Sequence, residues 1–119
     1  MTKRKQFTKS QRKAVWDKTG GHCAYCGCLI ELRQMQIDHV TPLRKGGTND
    51  FDNLLPACRS CNHYKDTFTV EQFRANIAEI PRVLARDSAS YRTAKRYGII
   101  KESNEGVIFY FERHTAAEE

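Results

Sequence analysis

Two pairs of cysteines constrain this chain more than any other feature. Cys23-Ala24-Tyr25-Cys26 and Cys58-Arg59-Ser60-Cys61 each leave a gap of two residues, and 31 residues separate the pairs. A two-residue gap lets both sulfurs of a pair turn toward one ion, and two such pairs close a tetrahedral cage. Four soft thiolates favour zinc over a hard cation such as magnesium, and a cage with four protein ligands keeps no open position for a reacting water. The metal expected at Cys23, Cys26, Cys58 and Cys61 is therefore a structural Zn²⁺. A chain of 119 residues buries only a modest core, so such a staple adds noticeably to stability. The competing reading, two redox dithiols, calls for a βαβ setting that the pattern lacks. Cys28 is left over and fits a small packed side chain. His22, beside Cys23, is surplus once four thiolates are present. Reducing surroundings keep thiolates available for metal, which points to a cytoplasmic protein; that the cell is bacterial or a phage-infected host is a further expectation, not read from the thiolates.

The gap between the pairs exceeds the roughly 15–20 residues of a compact zinc ribbon, and the insert carries Asp38, His39 and Asn53. Thr8 and Gln11 form a capping box ahead of a helix over 9–18, stopped at Gly20-Gly21. Leu32, Met35, Ile37 and Val40 alternate loosely, which reads as a strand ending near His39 or Val40. Leu54-Leu55 reads as a second short strand before Pro56, and a helix follows from Arg59 to about Asp66. Thr69 and Gln72 start another helix at Val70, whose Val70, Phe73, Ile77 and Ile80 recur at helical spacing. Pro81 is expected to kink that helix or begin the next, which runs to Tyr97 before Gly98. Residues 99–101 and 107–111 read as a hairpin about the Ser-Asn-Glu-Gly turn. Residues 1–7 read as a disordered basic arm and the tail from His114 as disordered. Two domains are expected, 1–68 and 69–119.

Charge narrows the partner. Lysine and arginine number 20 against 14 acidic residues, giving +6 and a pI near 9.2. Such an excess suits a polyanion, most simply nucleic acid. Lys9, Arg12 and Lys13 on the first helix and Arg44 and Lys45 beside Gly46-Gly47 are the candidate phosphate contacts. The set Arg82, Arg86, Arg92, Lys95 and Arg96 could add to them or be simply solvated. No apolar run approaches the ~18 residues that span a bilayer, and the basic N-terminus has no apolar core behind it, so neither a membrane segment nor a secretory signal is expected.

Asp38-His39-Val40, Pro42, Gly46-Gly47, Asn53-Leu54 and Cys58-x-x-Cys61-Asn62-x-x-Lys65 stand in one order over 23–65. The run resembles the HNH endonuclease family. The resemblance implies an α+β fold: a small ββα-metal core stapled by the four-cysteine site, with flanking helices and the C-terminal β-hairpin. It implies hydrolysis of DNA phosphodiesters, with His39 as general base and Asp38 and Asn62 holding a divalent cation. A histidine is mostly neutral near pH 7 and can accept the proton of water. Asn62 stands where the family more often has histidine. Its amide oxygen is harder than imidazole, so Mg²⁺ or Mn²⁺ is the expected catalytic ion. His63, one position later, is rotated about 100° away on a helix and is the weaker ligand candidate. Asn53 is expected to brace the loop that orients His39. Lys65, near the same helix face as Asn62, is expected to hold a phosphate oxygen. The substrate implied is DNA, taken as double-stranded and nicked one strand at a time. A double-strand cut would need a homodimer or rebinding. A non-catalytic zinc-dependent DNA-binding module is the alternative, but it has no use for Asp38, His39 and Asn62 together. A zinc deaminase fails, because His39 is followed by Val40 and Thr41 with no glutamate two positions on.

Overall fold

The structure, a computed structural model, describes residues 5–114. Most of the expected basic arm and the tail beyond His114 lie outside them. The chain forms two compact units. Residues up to Val70 fold together with those from Ile108, and 71–107 form the second.

The first unit begins with α1 (Lys9–Asp17). Thr8 Oγ1 accepts from the Gln11 amide at 3.1 Å, and Thr8 N donates to Gln11 Oε1 at 2.9 Å, which satisfies two helix-end donors reciprocally. Val15 on this helix is fully buried with Met35, Ile37 and Leu54, and Phe7, Trp16, Ile30 and Leu32 pack around that cluster. Three polar side chains of α1 and its end reach backbone carbonyls. Arg12 Nη2 donates to Leu32 and Met35 (3.0 and 2.8 Å), Trp16 Nε1 to Ile30 (2.9 Å) and Lys18 Nζ to Leu54 (2.7 Å).

Strands β1 (Gln36–His39) and β2 (Leu54–Ala57) pair antiparallel, with Asp38 opposite Leu55 and His39 opposite Leu54. β2 continues through Pro56, which the sequence reading placed beyond its end. Pro56 has no N–H, so it suits the outward-facing position opposite Ile37, and its carbonyl accepts from Ala24 N at 2.8 Å. Helix α2 (Arg59–Lys65) follows at once. Its cap is Cys58, whose sulfur accepts from Cys61 N at 3.4 Å. Strand, strand and helix make the ββα core.

The C-terminal hairpin does not form: 99–109 are irregular and Tyr110–Arg113 make a one-turn helix. Its backbone donors are used elsewhere. Tyr110 N and Phe111 N donate to the carbonyls of Tyr25 and Ala24 (3.1 and 2.8 Å), so this segment clamps the first cysteine turn instead of pairing with a strand. Ile99 N closes the preceding helix on Ala94 (2.9 Å) while Gly98, at φ +76°, donates to Lys95 (3.1 Å).

α3 (Val70–Asp87), in the second unit from Glu71 on, continues past Pro81, and the break comes at Ser88. Ser88 Oγ accepts from Tyr91 N at 3.1 Å, capping α4 (Ala89–Arg96), and Arg92 Nη1 donates to the end carbonyls Ala85 and Arg86. The capping serine decides the boundary; the proline costs one helical bond within a longer helix.

Candidate functional site

The four cysteine sulfurs lie within 4.8 Å of one another. Cys26 and Cys58 are 3.9 Å apart, close to the edge of about 3.8 Å that Zn–S bonds of about 2.3 Å imply for a tetrahedron. The donor set fits a tetrahedral thiophilic ion. Cys61 donates a hydrogen bond to the Cys23 sulfur, which draws the Cys23 thiol down to about 4 and sends that of Cys61 far up. Four thiols this close share their protons unevenly, and a divalent cation in their midst would let all four ionise. Cys28 and His22 are not among the four clustered ligands; Cys28 is exposed, not packed as expected, and its thiol lies against Cys26 and Cys58, where burial and those neighbours push it up to about 12. Cys28 contributes its carbonyl to Cys23 N at 2.7 Å, and His22 Nδ1 meets the Gly27 carbonyl at 2.8 Å.

Beside this cage is a second and different site. A cavity of about 270 Å³ is lined by Asp38, His39, Pro42, Leu43, Arg44, Asn62, Asp66 and Thr67. β1 delivers Asp38 and His39, and α2 delivers Asn62 one residue after Cys61. Neighbours on a strand should face opposite ways, yet Asp38 and His39 line one cavity, because β1 ends there.

Asp38 is almost wholly buried and held from two sides. The Tyr25 hydroxyl donates to Oδ2 at 2.5 Å, and Lys65 Nζ lies 3.3 Å from Oδ1 and 3.2 Å from Oδ2. Lys65 also donates to the His39 carbonyl at 3.0 Å. Burial pushes the Asp38 carboxyl above the usual aspartate value, against the opposing pull of Lys65 and Tyr25. Burial and the Asp38 charge push the Tyr25 phenol well up, which keeps it a proton donor. Each carboxylate oxygen has further lone-pair directions beyond these bonds, so the carboxylate can still face a cation.

The expected phosphate contact at Lys65 is corrected by this geometry. Its side chain is 0% exposed and its ammonium is turned onto Asp38 and His39, so it holds the site together from behind. Tyr25 is new: it occupies a position of the first cysteine pair that spacing alone treats as filler. Its ring is fixed edge-on between Phe109 and Phe111 at 5.1 and 5.8 Å.

Asn53 lies outside the cavity and braces its loop. Its Oδ1 accepts from Thr41 N at 2.8 Å, and its Nδ2 donates to Thr41 O and Thr48 O at 3.0 and 2.8 Å. Asn49 and Asp66 also escaped the sequence reading. Asn49 Oδ1 sits 2.9 Å from His39 Nε2. Asp66 caps α2 at φ +48°, a backbone state that favours glycine, and borders the cavity.

Of the expected phosphate contacts, Arg44 lines the cavity and Lys45 lies over the Phe68 ring at 5.7 Å. Lys9 is exposed, Lys13 pairs with Asp17 at 2.8 Å, and Arg12 is engaged with carbonyls as above. His63 is exposed and does not line the cavity. In the second unit Arg82, Arg86 and Lys95 pair with Glu79, Asp87 and Glu102 at 2.5, 2.8 and 2.7 Å. Among the described residues no helix is long and apolar enough to cross a membrane.

Comparison with known proteins agrees with this arrangement. The sequence model of the HNH endonuclease family matches residues 23–68. YoqL, an SPbeta prophage-derived protein of Bacillus subtilis assigned as an HNH endonuclease, is 33% identical over 60% of this chain and 34% of its own. The CRISPR-associated endonuclease Cas9 of Corynebacterium diphtheriae is 29% identical over 93% of this chain and 11% of its own. The crystal structure of the Type II-C Cas9 enzyme from Actinomyces naeslundii superposes with a TM-score of 0.54 at 24% identity, over 62% of this chain and 9% of that one, a likeness of fold. The chain thus spans about a third of the first relative and about a tenth of the second. Residues 23–68, which hold both the cysteine cluster and the cavity, thus match the HNH endonuclease family.

Proposed function

We propose that the chain is a divalent-cation-dependent endonuclease that hydrolyses DNA phosphodiester bonds, nicking one strand at a time. The observation that carries this reading is the convergence of Asp38, His39 and Asn62 on one cavity with Arg44 at its wall. A phosphodiester resists attack because its anionic oxygens repel nucleophiles, so a catalyst must activate water and offset charge. His39 takes a proton from the attacking water. The water oxygen bonds to phosphorus, the bond to the 3′ oxygen breaks, and that oxygen picks up a proton from solvent, leaving a 3′-hydroxyl and a 5′-phosphate. Asp38 and Asn62 would hold Mg²⁺ or Mn²⁺, their oxygens being suited to a hard ion. When bound, that ion supplies charge neutralisation at the phosphate and the departing oxygen. Lys65 and Tyr25 hold Asp38 in place. Arg44, with Lys45 and Lys9, meets backbone phosphates without reading sequence. The four cysteines hold Zn²⁺ as scaffold.

A DNA-binding module without catalysis is the second reading. The buried Asp38–Lys65–Tyr25 group speaks against it, since burying a charged network beside a histidine is costly and mere binding does not require it. Supercoiled plasmid incubated with wild type and His39→Ala in Mg²⁺, Mn²⁺ or EDTA separates the two. Nicking that needs both metal and His39, falling roughly 10²–10⁴-fold in the variant, is expected. Tight binding with no cutting in either metal would leave the binding module standing, and equal nicking by the variant would remove His39 as base.

A further inference from the structure

We propose that Asn49 is the positioning residue of His39: its amide oxygen holds the proton of the imidazole on Nε2 and so makes Nδ1 the nitrogen that accepts the proton of water. The inference rests on the nuclease reading for its chemistry, but its geometry stands alone. The loop 41–53 is folded tightly back on the end of β1. Gly47 is buried, and a Cβ there would lie 1.8 Å from the Thr41 carbonyl oxygen, so no side chain fits. Gly47 N donates to Pro42 O at 3.0 Å, and the Asn53 amide ties Thr41 to Thr48. With both strands of the loop joined at Thr48, the next residue has little freedom. Asn49 is half-buried and sets Oδ1 2.9 Å from His39 Nε2.

An amide oxygen only accepts, so the ring nitrogen facing it must carry hydrogen. In a neutral imidazole the other nitrogen is then the base. His39 is itself nearly buried, which makes the charge it acquires costly unless an oriented acceptor faces the N–H opposite the reacting nitrogen. Asn49 supplies that acceptor. The arrangement is a base oriented by a third group, with a neutral amide in place of a carboxylate. Asn53 acts one step further back, since it builds the loop on which Asn49 rides.

The orientation of the amide is what the test must decide, because the reversed amide would donate to Nε2 and impose the opposite tautomer. Zinc-loaded protein with ¹⁵N-labelled histidine reports the tautomer from its two ring nitrogen shifts, without DNA or any cleavage. The chain has 4 histidines, and the signals of His39 are those lost in His39→Ala. We expect the Nε2–H tautomer in wild type and in Asn49→Asp, which keeps an acceptor, and a mixture in Asn49→Leu, which keeps size without one. On plasmid, Asn49→Leu should lower kcat ~10- to 100-fold, part of what a positioned base contributes, with KM unchanged and most of the rate recovered in Asn49→Asp. Zinc content and thermal midpoint control for folding. An Nδ1–H tautomer in wild type, or one tautomer shared by wild type and Asn49→Leu, overturns the proposal whatever the plasmid does. Wild type that shows the expected tautomers but never cuts leaves Asn49 as the orienting group and removes the nuclease reading alone.

Discussion

The sulfur cage and the oxygen-lined cavity lie one residue apart in sequence, at Cys61 and Asn62, yet they are built on opposite principles. The cage is simple: the first cysteine turn and the capped start of α2 supply all its donors, each pair is set by a two-residue gap, and nothing beyond the four sulfurs is needed to define it. The cavity is assembled from the end of a strand, a loop and a helix, and its key carboxylate is buried and braced by a lysine and a tyrosine. A closed, self-defined site suits a scaffold. An open site whose parts come from three elements suits chemistry, because each part can be tuned separately, but it depends on the scaffold to bring the parts together. Tyr25 joins the two, with its backbone in the first cysteine turn and its hydroxyl on Asp38.

Removing zinc should give the largest effect. Structural zinc is worth on the order of 10 kcal/mol in small domains. Chelation by a zinc-selective agent is expected to abolish the cooperative melting transition of the first unit and all nicking together, read by circular dichroism and plasmid assay. Melting that persists unchanged without zinc would break the division into scaffold and working site.

Lys65→Met comes next. Removing one partner of a buried ion pair costs about 3–5 kcal/mol, because a buried charge is left alone. Urea denaturation should show that loss, and the double variant Asp38→Leu/Lys65→Met should recover most of it while remaining inactive. A double variant as unstable as the single one would mean that Lys65 matters for something other than Asp38.

Tyr25→Phe keeps the ring between Phe109 and Phe111 and removes only the donor to Asp38. We expect a loss of about 1–3 kcal/mol for the unsatisfied oxygen, slower nicking, and an unchanged zinc content by elemental analysis. Loss of zinc in this variant would show that the two sites are not separable. Smallest of all, Lys13→Ala removes a half-exposed pair with Asp17 and should cost no more than about 0.5 kcal/mol in melting. A drop in DNA affinity in low-salt titrations would then identify Lys13 as a phosphate contact independent of that pair.

The same contrast explains what could be read from the chain. The cage was legible because a thiolate and its spacing carry their own geometry. Thr8 and Gln11 were legible for a similar reason, since a capping box acts over three residues. The ββα core followed from Leu32–Val40, Leu54-Leu55 and the helix behind Cys58. Lys65 was misjudged because charge alone suggests solvent, and only the burial of Asp38 supplies a reason for a lysine to be inside. Tyr25 and Asn49 were invisible because each acts on a residue brought close only by folding. The hairpin over 99–111 was expected from apolar alternation and a good turn, but the N–H groups of Tyr110 and Phe111 found better partners in the Ala24–Tyr25 turn, a contact no local window contains. Pro81 was weighed by its usual effect on helices, while the capping serine seven positions later set the boundary.

Pro56 has one more consequence. A two-stranded sheet leaves edges on which a foreign strand can add, and β2 is apolar enough to invite it. At the middle of its outer edge Pro56 presents no N–H, and its carbonyl is already occupied by Ala24. An incoming strand would find neither the donor nor the acceptor it needs there. Pro56 is itself fully buried, so the first cysteine turn already closes this edge of the ββα core.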